Sequence, residues 1–373
     1  MNNWISDINI ESYRGIRSLT LDSLSMVNIL TGDNNCGKTS VLEVIRSFRQ
    51  PDDFRQWISL TRSTYPFPLP VRRAALTQYE LFSDLFDINA ESKRIKYSMI
   101  VNDCFTDVEV CAVEAEAEFT QEEFKEVFGY NLTGIFKSDE NLSQAIIVPK
   151  LELEIRINGE LVNEMDLYEE RTRIGSEVEI RKEFRHNIIY ISPVDHAEGQ
   201  LFLSEVLDSP ELYAEMLEVL KAYDENIMSI NYDRIDGSAI GRGTYKILSK
   251  SHEKALPLNV YGDGMKKAIL LMSAVVKAKN GILLLDEFET AIHTSAMEST
   301  FKWILETCRR LNVQLFLTSH SKEAIDKVLK CAPDLIEQIS VYTLYKQSNQ
   351  TTVRRLPGKK AIEVQDEMGL ELR

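Results

Sequence analysis

Apolar residues between positions 26 and 48 follow two patterns, one typical of a strand and one typical of a helix. Met26-Val27-Asn28-Ile29-Leu30 is a short, largely apolar run that predicts a strand. After it, apolar residues recur at i, i+3, i+4 and i+7, on one helical face: Val41, Val44, Ile45 and Phe48. Because proline cannot continue a helix, we expect this helix to end before Pro51. The segment therefore predicts a strand, a loop and a helix in immediate succession.

Short alternating runs on both sides of the turn Tyr13-Arg14-Gly15 predict a hairpin that leads into this unit. In the middle of the chain, residues 76–88 have helical spacing and residues 95–119 alternate as strands do. Thr120-Gln121-Glu122-Glu123 has the form of a capping box and predicts a helix start. Asn158-Gly159 lies between two alternating runs and predicts a further hairpin.

The last third of the chain again predicts alternating helices and strands. A helix opens within Tyr261-Gly262-Asp263-Gly264-Met265. Ile282–Leu285 is apolar throughout, as in a parallel strand that is covered on both faces. A second helix, the strand at 314–317 and a closing strand at 339–342 follow. We expect the earlier apolar run Ile188–Ile191 to join the same sheet.

Composition restricts the classes of protein that remain. The chain has 373 residues, of which 44% are hydrophobic and 27% charged, an ordinary balance for a globular protein. It has no apolar run near the roughly 20 residues of a membrane helix, and Met1-Asn2-Asn3-Trp4 lacks the features of a signal peptide. We therefore expect a cytoplasmic location. The five cysteines are odd in number and form no C-x-x-C pair, which disfavours a zinc site or a disulfide framework.

The net charge of −15 bears on the choice of partner. Such a surface repels the phosphates of duplex DNA on average, so DNA binding would need a local basic patch. The one basic cluster mixes both signs of charge, which is typical of a solvated face. It contains Arg171, Arg173, Arg181, Lys182 and Arg185 beside Glu169, Glu170 and Glu183. Charge therefore favours protein and nucleotide partners, and DNA stays open.

The loop between the first predicted strand and helix matches G-x-x-x-x-G-K-[ST], the phosphate-binding P-loop. It consists of Gly32, Asp33, Asn34, Asn35, Cys36, Gly37, Lys38, Thr39 and Ser40. In such a loop, backbone N–H groups and the helix N-terminus face the phosphates. We expect Lys38 to neutralise β- and γ-phosphate charge and the Thr39 hydroxyl to bind Mg²⁺. Arg14 has two interpretations: it could reach the nucleotide from its turn, or it could be an exposed turn arginine.

Acidic residues and a histidine follow two further predicted strands. Asp286-Glu287 ends the strand at 282–285, and His320 follows the strand at 314–317. Because the carboxyl ends of parallel strands meet at one crevice, these residues can surround the same nucleotide as the P-loop. We expect Asp286 to hold Mg²⁺ beside Thr39 through bound water. Glu287 would activate the attacking water, and His320 would contact the γ-phosphate.

With these motifs in place, the chain resembles the ABC-type ATPase heads of the SMC/RecF and OLD superfamily. The order of motifs matches a Walker A loop at 32–40, a signature at 262–266, a Walker B pair at Asp286-Glu287 and a switch histidine at His320. The chain is most similar to the stand-alone ATPases of bacterial anti-phage and toxin-like systems. The resemblance implies an α/β fold, namely a P-loop ATPase head with a mixed or parallel central sheet and an inserted α/β lid.

The resemblance also implies a division of the chain. Residues 1–50 and 186–373 are expected to form the ATPase core, and residues 51–185 an inserted lid or arm that partly completes the core. The tail beyond the closing strand is too short for an OLD-type nuclease domain, which needs roughly a hundred residues. We therefore expect any effector to be a separate protein.

The implied ligands are ATP and Mg²⁺, and the implied assembly is a homodimer or higher oligomer. In this family the signature, here Gly262, Asp263 and Gly264, contacts the γ-phosphate across the dimer. Gly262 stands where the family has a serine, so recognition would rest on backbone N–H groups, would rest on Lys266 or Lys267, or would be weak.

Two other family positions depart from the pattern. The glutamine of the Q-loop stays open between Gln78 and Gln144. The aspartate that follows Walker B in transporters is replaced near His293.

The sequence thus predicts a Mg-ATP-binding and hydrolysing ATPase that dimerises and controls an effector, a nuclease or toxin, in anti-phage defence. The alternative is a RecF-like DNA-binding ATPase of DNA repair, which would need a basic groove on the dimer. A P-loop GTPase is disfavoured because the chain has no N-K-x-D motif. A P-loop kinase is disfavoured by the strand that ends at His320 and by the signature-like segment.

Overall fold

The computed structural model describes residues 4–61, 77–129, 145–169, 181–198, 201–234, 243–292, 294–347 and 350–368. Its strands are β1 (Ile5–Tyr13), β2 (Ile16–Leu21), β3 (Val27–Gly32), β4 (Lys93–Val101), β5 (Cys104–Phe119), β6 (Ile146–Ile157), β7 (Glu160–Tyr168), β8 (Ile188–Ile191), β9 (Ile227–Arg234), β10 (Gly243–Ser249), β11 (Leu256–Pro257), β12 (Ile282–Leu285), β13 (Gln314–Thr318), β14 (Ile339–Gln347) and β15 (Gln350–Pro357). Its α-helices are α1 (Lys38–Ser47), α2 (Phe54–Ile58), α3 (Gln78–Ser83), α4 (Gln121–Phe128), α5 (Asp195–Glu198), α6 (Leu203–Leu207), α7 (Pro210–Leu220), α8 (Asp263–Lys277), α9 (Thr294–Leu311), α10 (Lys322–Lys330) and α11 (Gly358–Met368).

The central sheet has six strands in the order β15-β14-β3-β13-β12-β8. All neighbours from β14 to β8 are parallel, and β15 pairs antiparallel with β14 at one edge. β3, β12 and β13 are buried along their whole length, as expected for apolar strands that are covered on both faces. The mixed α/β sheet predicted from the sequence is therefore confirmed. The strand predicted at 339–342 is longer and lies inside the sheet, because β15 folds back beside it.

A second sheet of six strands, β2-β1-β4-β5-β6-β7, is antiparallel throughout. The predicted hairpin turns at Tyr13-Arg14-Gly15 and Asn158-Gly159 are both present, and both residues of the second turn have positive φ. The capping box from Thr120 to Glu123 is also present. The helix predicted over 76–88 is shorter and spans only α3.

The hydrophobic core has two parts, one on each side of the central sheet. The first packs α7, α8 and α9 against β12 and β13, and α8 is buried almost throughout. The second lies between the central sheet and the antiparallel sheet and encloses the apolar face of α1. The P-loop helix is therefore held between two sheets, which fixes its N-terminus at the edge where the parallel strands end.

A small three-stranded sheet, β11-β10-β9, precedes α8. None of the helices in the described ranges has both the length and the apolar character needed to cross a membrane.

Candidate nucleotide-binding site

Two glycines with positive φ shape the loop between β3 and α1. Gly32 has φ 132° and Gly37 has φ 104°, values that residues with a Cβ atom rarely adopt. A Cβ atom on Gly32 would lie 2.2 Å from the carbonyl oxygen of Leu344 on β14. Gly37 is the N-cap of α1, whose first turn contains no acidic residue. The first N–H groups of α1 have no acceptor within the helix, so they can bind an anion at this end.

Lys38 is buried, and its ammonium group is held by the loop itself. Its Nζ donates to the carbonyl oxygens of Gly32 at 2.8 Å and Asp33 at 2.9 Å. It also lies 3.3 Å from Nδ1 of His320. Since an ammonium can only donate, this contact is a hydrogen bond only in the tautomer in which Nδ1 accepts and Nε2 carries the proton.

Asp286 follows β12 and is hydrogen-bonded through both carboxylate oxygens. Its Oδ1 accepts from the hydroxyl of Thr318 at 2.5 Å and from that of Thr39 at 3.3 Å. Its Oδ2 accepts from the phenol of Tyr190 at 3.2 Å. Burial, together with the charge of Asp286, raises the pKa of Tyr190, so the phenol remains a donor. A carboxylate next to a hydroxyl fits Mg²⁺, which usually takes one or two protein oxygens together with substrate phosphates.

Glu287 turns into the cleft beside Asp286. Its backbone has φ 43°, an uncommon conformation for a residue with a side chain. Its N–H donates to the Thr318 hydroxyl at 2.7 Å. Its carboxylate is about half exposed and lies 3.9 Å from Nε2 of His320. His320 therefore stands between the ammonium of Lys38 and the carboxylate of Glu287.

The cleft has a volume of about 550 Å³, within the range for a small-molecule ligand. It brings together most of the predicted P-loop residues with Glu287 and His320. Its walls also include the β1–β2 turn and the β14–β15 hairpin. The lining residues are Arg14, Gly15, Ile16, Asn34, Asn35, Cys36, Gly37, Lys38, Thr39, Ser40, Glu287, His320, Lys346 and Thr351.

Arg14 is not the exposed turn arginine that was one of its two interpretations. Its guanidinium forms a salt bridge with Glu43 at 3.0 Å, and its side chain is 16% exposed. It also donates to the carbonyl oxygens of Leu60 and Asp84, each at 3.1 Å. The turn is thereby tied to α1 and to the segments that follow α2 and α3, and contact of Arg14 with nucleotide stays a prediction.

The signature residues lie outside this cleft, at the N-terminus of α8. Gly262 is exposed, and a Cβ atom there would meet nothing within 4 Å. Asp263 pairs with Lys266 at 2.6 Å, and the lysine lowers the pKa of the aspartate. At Gly264 a Cβ atom would lie 3.1 Å from the carbonyl oxygen of Ala291.

The suggestion that Lys267 reaches across a dimer is wrong. Its side chain is fully buried, and its Nζ faces the carbonyl oxygens of Ser192 at 3.3 Å and Pro193 at 3.4 Å. Burial lowers the pKa of Lys267. The structure thus directs this lysine toward its own subunit, behind the loop that follows β8.

Three polar residues at the site carried no predicted role. Thr318 and Tyr190 hold Asp286, as described above. Glu289 accepts from the Ser319 hydroxyl at 2.8 Å and from the N–H of His320 at 3.1 Å. Its position two residues after Glu287 was a possible signal, whereas Tyr190 comes into reach only because β8 is the parallel neighbour of β12.

The Q-loop glutamine remains unassigned. Gln78 opens α3 and does not line the cleft. Gln144 lies outside the described residues, as do His293, Arg171 and Arg173.

The chain is similar in sequence and in fold to several known proteins. The family model described as "AAA domain, putative AbiEii toxin, Type IV TA system" matches residues 27–326. A Helicobacter pylori protein named ATP/GTP phosphatase is 21% identical over 369 residues, covering 94% of this chain and 95% of its own length. A solved SMC head bound to the C-terminal winged-helix domain of ScpA aligns with a TM-score of 0.51 at 10% identity, covering 96% of this chain and 99% of that one.

A second SMC head, with an extended coiled coil and bound to a ScpA domain derived from Pyrococcus furiosus, also gives a TM-score of 0.51 at 10% identity. It covers 98% of this chain and the whole of the other. At such identities the likeness concerns the fold alone. The chain therefore belongs to the AAA-domain family named above, and its fold is similar to that of the SMC heads.

Proposed function

We propose that the protein binds Mg-ATP in the cleft, hydrolyses it, and uses the bound nucleotide to dimerise and to control a separate effector in anti-phage defence. The observation that carries the proposal is the meeting of the P-loop, the pair Asp286-Glu287 and His320 at the ends of three adjacent parallel strands. The name of the H. pylori relative, ATP/GTP phosphatase, supports nucleoside triphosphate hydrolysis.

The side chains at the cleft suit distinct steps of hydrolysis. Lys38 offers a cation inside the P-loop, and Thr39 and Asp286 offer oxygens to Mg²⁺, which would neutralise phosphate charge when bound. Glu287 is the base that takes a proton from the attacking water, because its carboxylate is accessible and, among the described residues, its nearest basic partner is His320 at 3.9 Å. His320 orients this carboxylate and senses the γ-phosphate.

Residues 51–185 are proposed to act as an inserted lid that also completes the ATPase core. The pairing of β1 with both β2 and β4 supports this, because a strand from the core and a strand from the insertion share one sheet. Arg14 adds a direct link, since its guanidinium contacts Glu43 on the P-loop helix and the Leu60 and Asp84 carbonyls of the insertion.

Dimerisation is proposed to use the N-terminus of α8. Gly262 is the exposed N-cap of α8 and has no side chain that would shield the first N–H groups of this 15-residue helix. Asp263 is compensated by Lys266, so its charge need not repel a phosphate of the partner subunit. The missing serine hydroxyl weakens this contact, so closure would depend on the lid or on the effector.

The effector is proposed to be a nuclease or a toxin. The family description, which names a toxin and a type IV toxin–antitoxin system, supports a role in such systems. In the alternative function, the partner is duplex DNA in place of an effector protein, and the ATPase would respond to that DNA.

Sedimentation of the Glu287→Gln protein with ATP and with ADP tests the assembly. We expect a dimer with ATP and a monomer with ADP. Adding Gly262→Arg should restore the monomer without changing ATP affinity, because Gly262 is exposed, lies outside the cleft, and a Cβ atom there meets nothing within 4 Å in its own subunit. Ile88→Arg, at a position 95% exposed in the insertion, is the matched control and should leave the dimer intact. A monomer under every nucleotide condition would overturn the proposed dimer.

A further inference from the structure

The hairpin of β14 and β15 forms one wall of the nucleotide cleft, and the hydrolytic steps above give it no role. β14 pairs with β3 up to the pair Leu344↔Gly32, so the hairpin continues past the sheet beside the start of the P-loop. The Leu344 carbonyl lies so close to Gly32 that only a glycine fits there. This packing fixes the hairpin relative to the loop that binds the phosphates.

Lys346 provides the positive charge of this wall. It lies opposite Thr351 across the hairpin, and both residues line the cleft. Its Nζ is 4.0 Å from the Cβ position of Gly15, in the β1–β2 turn on the adjoining wall. Within the described ranges, its ammonium has no ion-pair or hydrogen-bond partner. Because the ammonium faces the same cavity as the amides of the P-loop, one anionic ligand can contact both.

The order of the strands decides which end of a nucleotide meets Lys346. Asp286 follows β12 and His320 follows β13, while the P-loop follows β3. Lys346 follows the paired part of β14, on the side of β3 away from β12 and β13. The metal and the transferred phosphate belong beside Asp286, so Lys346 lies across the P-loop from them. A nucleotide whose transferred phosphate is bound there would extend its nucleoside and its first phosphate toward Lys346.

We propose that Lys346 is a nucleotide-binding residue that contacts the α-phosphate. The inference rests on the proposed binding of ATP in this cleft and adds a contact made by the C-terminal hairpin. ATP and ADP share the α-phosphate, so the contact is the same before and after hydrolysis. An interaction that is uniform along the reaction changes KM and leaves kcat unaltered.

The test compares Lys346→Met with the wild type by calorimetric titration of ATP and of ADP. Methionine keeps a long side chain and removes the charge. We expect both dissociation constants to rise by the same factor, about tenfold or more, as loss of one charge-assisted hydrogen bond predicts. Turnover at saturating ATP should stay at the wild-type rate, and Lys346→Arg should retain most of the affinity. Lys359→Met, an exposed lysine on α11 that does not line the cleft, is the matched control.

The outcomes separate this inference from the function on which it rests. A wild-type protein that binds neither nucleotide overturns the proposed function itself. If the wild type binds but Lys346→Met binds equally well, or no worse than Lys359→Met, the inference alone is wrong. A loss that is much larger for ATP than for ADP would assign Lys346 to the γ-phosphate and overturn the proposed contact. A fall in kcat with unchanged affinity would overturn it as well.

Discussion

The hydroxyl of Thr318 donates to Oδ1 of Asp286 at 2.5 Å and accepts from the backbone N–H of Glu287 at 2.7 Å. Thr318 ends β13, whereas Asp286 and Glu287 follow β12, so one hydroxyl links the ends of two neighbouring strands. It fixes the carboxylate proposed to hold the metal and the backbone of the proposed base at the same time.

Thr318→Val should therefore weaken both the fold and the reaction. The change keeps the shape of the side chain and leaves the N–H of Glu287 without its acceptor, at a cost of about 1–3 kcal/mol in the free energy of unfolding. Turnover should fall by about tenfold or more, since each 1.4 kcal/mol of lost transition-state stabilisation has that effect. Urea unfolding and ATPase assays measure the two effects. Thr318→Ser keeps the hydroxyl and should behave as the wild type. Normal turnover in the Thr318→Val variant would show that Thr318 does not position the catalytic residues.

Lys38→Ala should abolish productive ATP binding. Lys38 supplies a buried cation at the loop amides, and each charge-assisted hydrogen bond to a phosphate contributes about 1.5–3 kcal/mol. Calorimetric titration of Mg-ATP is the measurement. Lys279→Ala, which removes an exposed lysine just beyond α8, is the control and should bind normally. Equal affinity and turnover in the two variants would refute the assignment of the P-loop.

Glu287→Gln should bind ATP and hydrolyse it slowly. The amide keeps the size and the hydrogen-bonding shape of the carboxylate but cannot accept the proton of water, and loss of a positioned base typically costs about 10²–10⁴ in rate. Single-turnover hydrolysis and nucleotide affinity should be measured on the same sample. Hydrolysis at the wild-type rate would remove Glu287 from the chemistry.

Lys267 should make the free energy of unfolding depend on pH in the alkaline range. Burial lowers its folded-state pKa below the ordinary 10.5, although the charges of Asp195, Asp286, Glu289 and Glu287 oppose that shift. Between the lowered value and 10.5, the unfolded chain binds more protons than the folded one, so the free energy of unfolding rises with pH.

Melting temperatures of the wild type and of Lys267→Met, taken across this alkaline range, provide the check. The wild type should gain stability relative to the variant as pH rises, because the variant lacks the titrating amine. Parallel curves would mean that Lys267 does not contribute the expected dependence.

The sequence predicted those features that depend on neighbours along the chain. The strand before Gly32, the helix after Gly37 and the acidic pair that ends β12 are all local patterns, and the structure has each of them. The mixed sheet could also be predicted from the sequence, because strands made of fully apolar runs are stable only when both of their faces are covered.

Features that depend on the order of strands in the sheet could not be predicted from local sequence patterns. Tyr190 contacts Asp286 only because β8 pairs with β12, and Lys346 reaches the cleft only because β14 pairs with β3. The prediction that Lys267 could reach across a dimer was wrong because it, too, depended on tertiary packing. A lysine in a helix is usually solvent-exposed, but α8 is covered almost all round, and the long side chain ends at the carbonyl groups of the loop after β8.

The placement of β3 also bears on how the chain folds during synthesis. β3 contains residues 27 to 32, yet its two neighbours in the sheet are β13 and β14, whose pairing residues begin at Leu315 and Ile339. A nascent chain therefore carries an unpaired, largely apolar strand until β13 and β14 have been translated, and contacts this distant in sequence form slowly. β1 and β2, by contrast, can pair with each other as soon as they leave the ribosome. The antiparallel sheet is thus able to form first, and β3 can be inserted into the central sheet only after residues 315–344 have been synthesised.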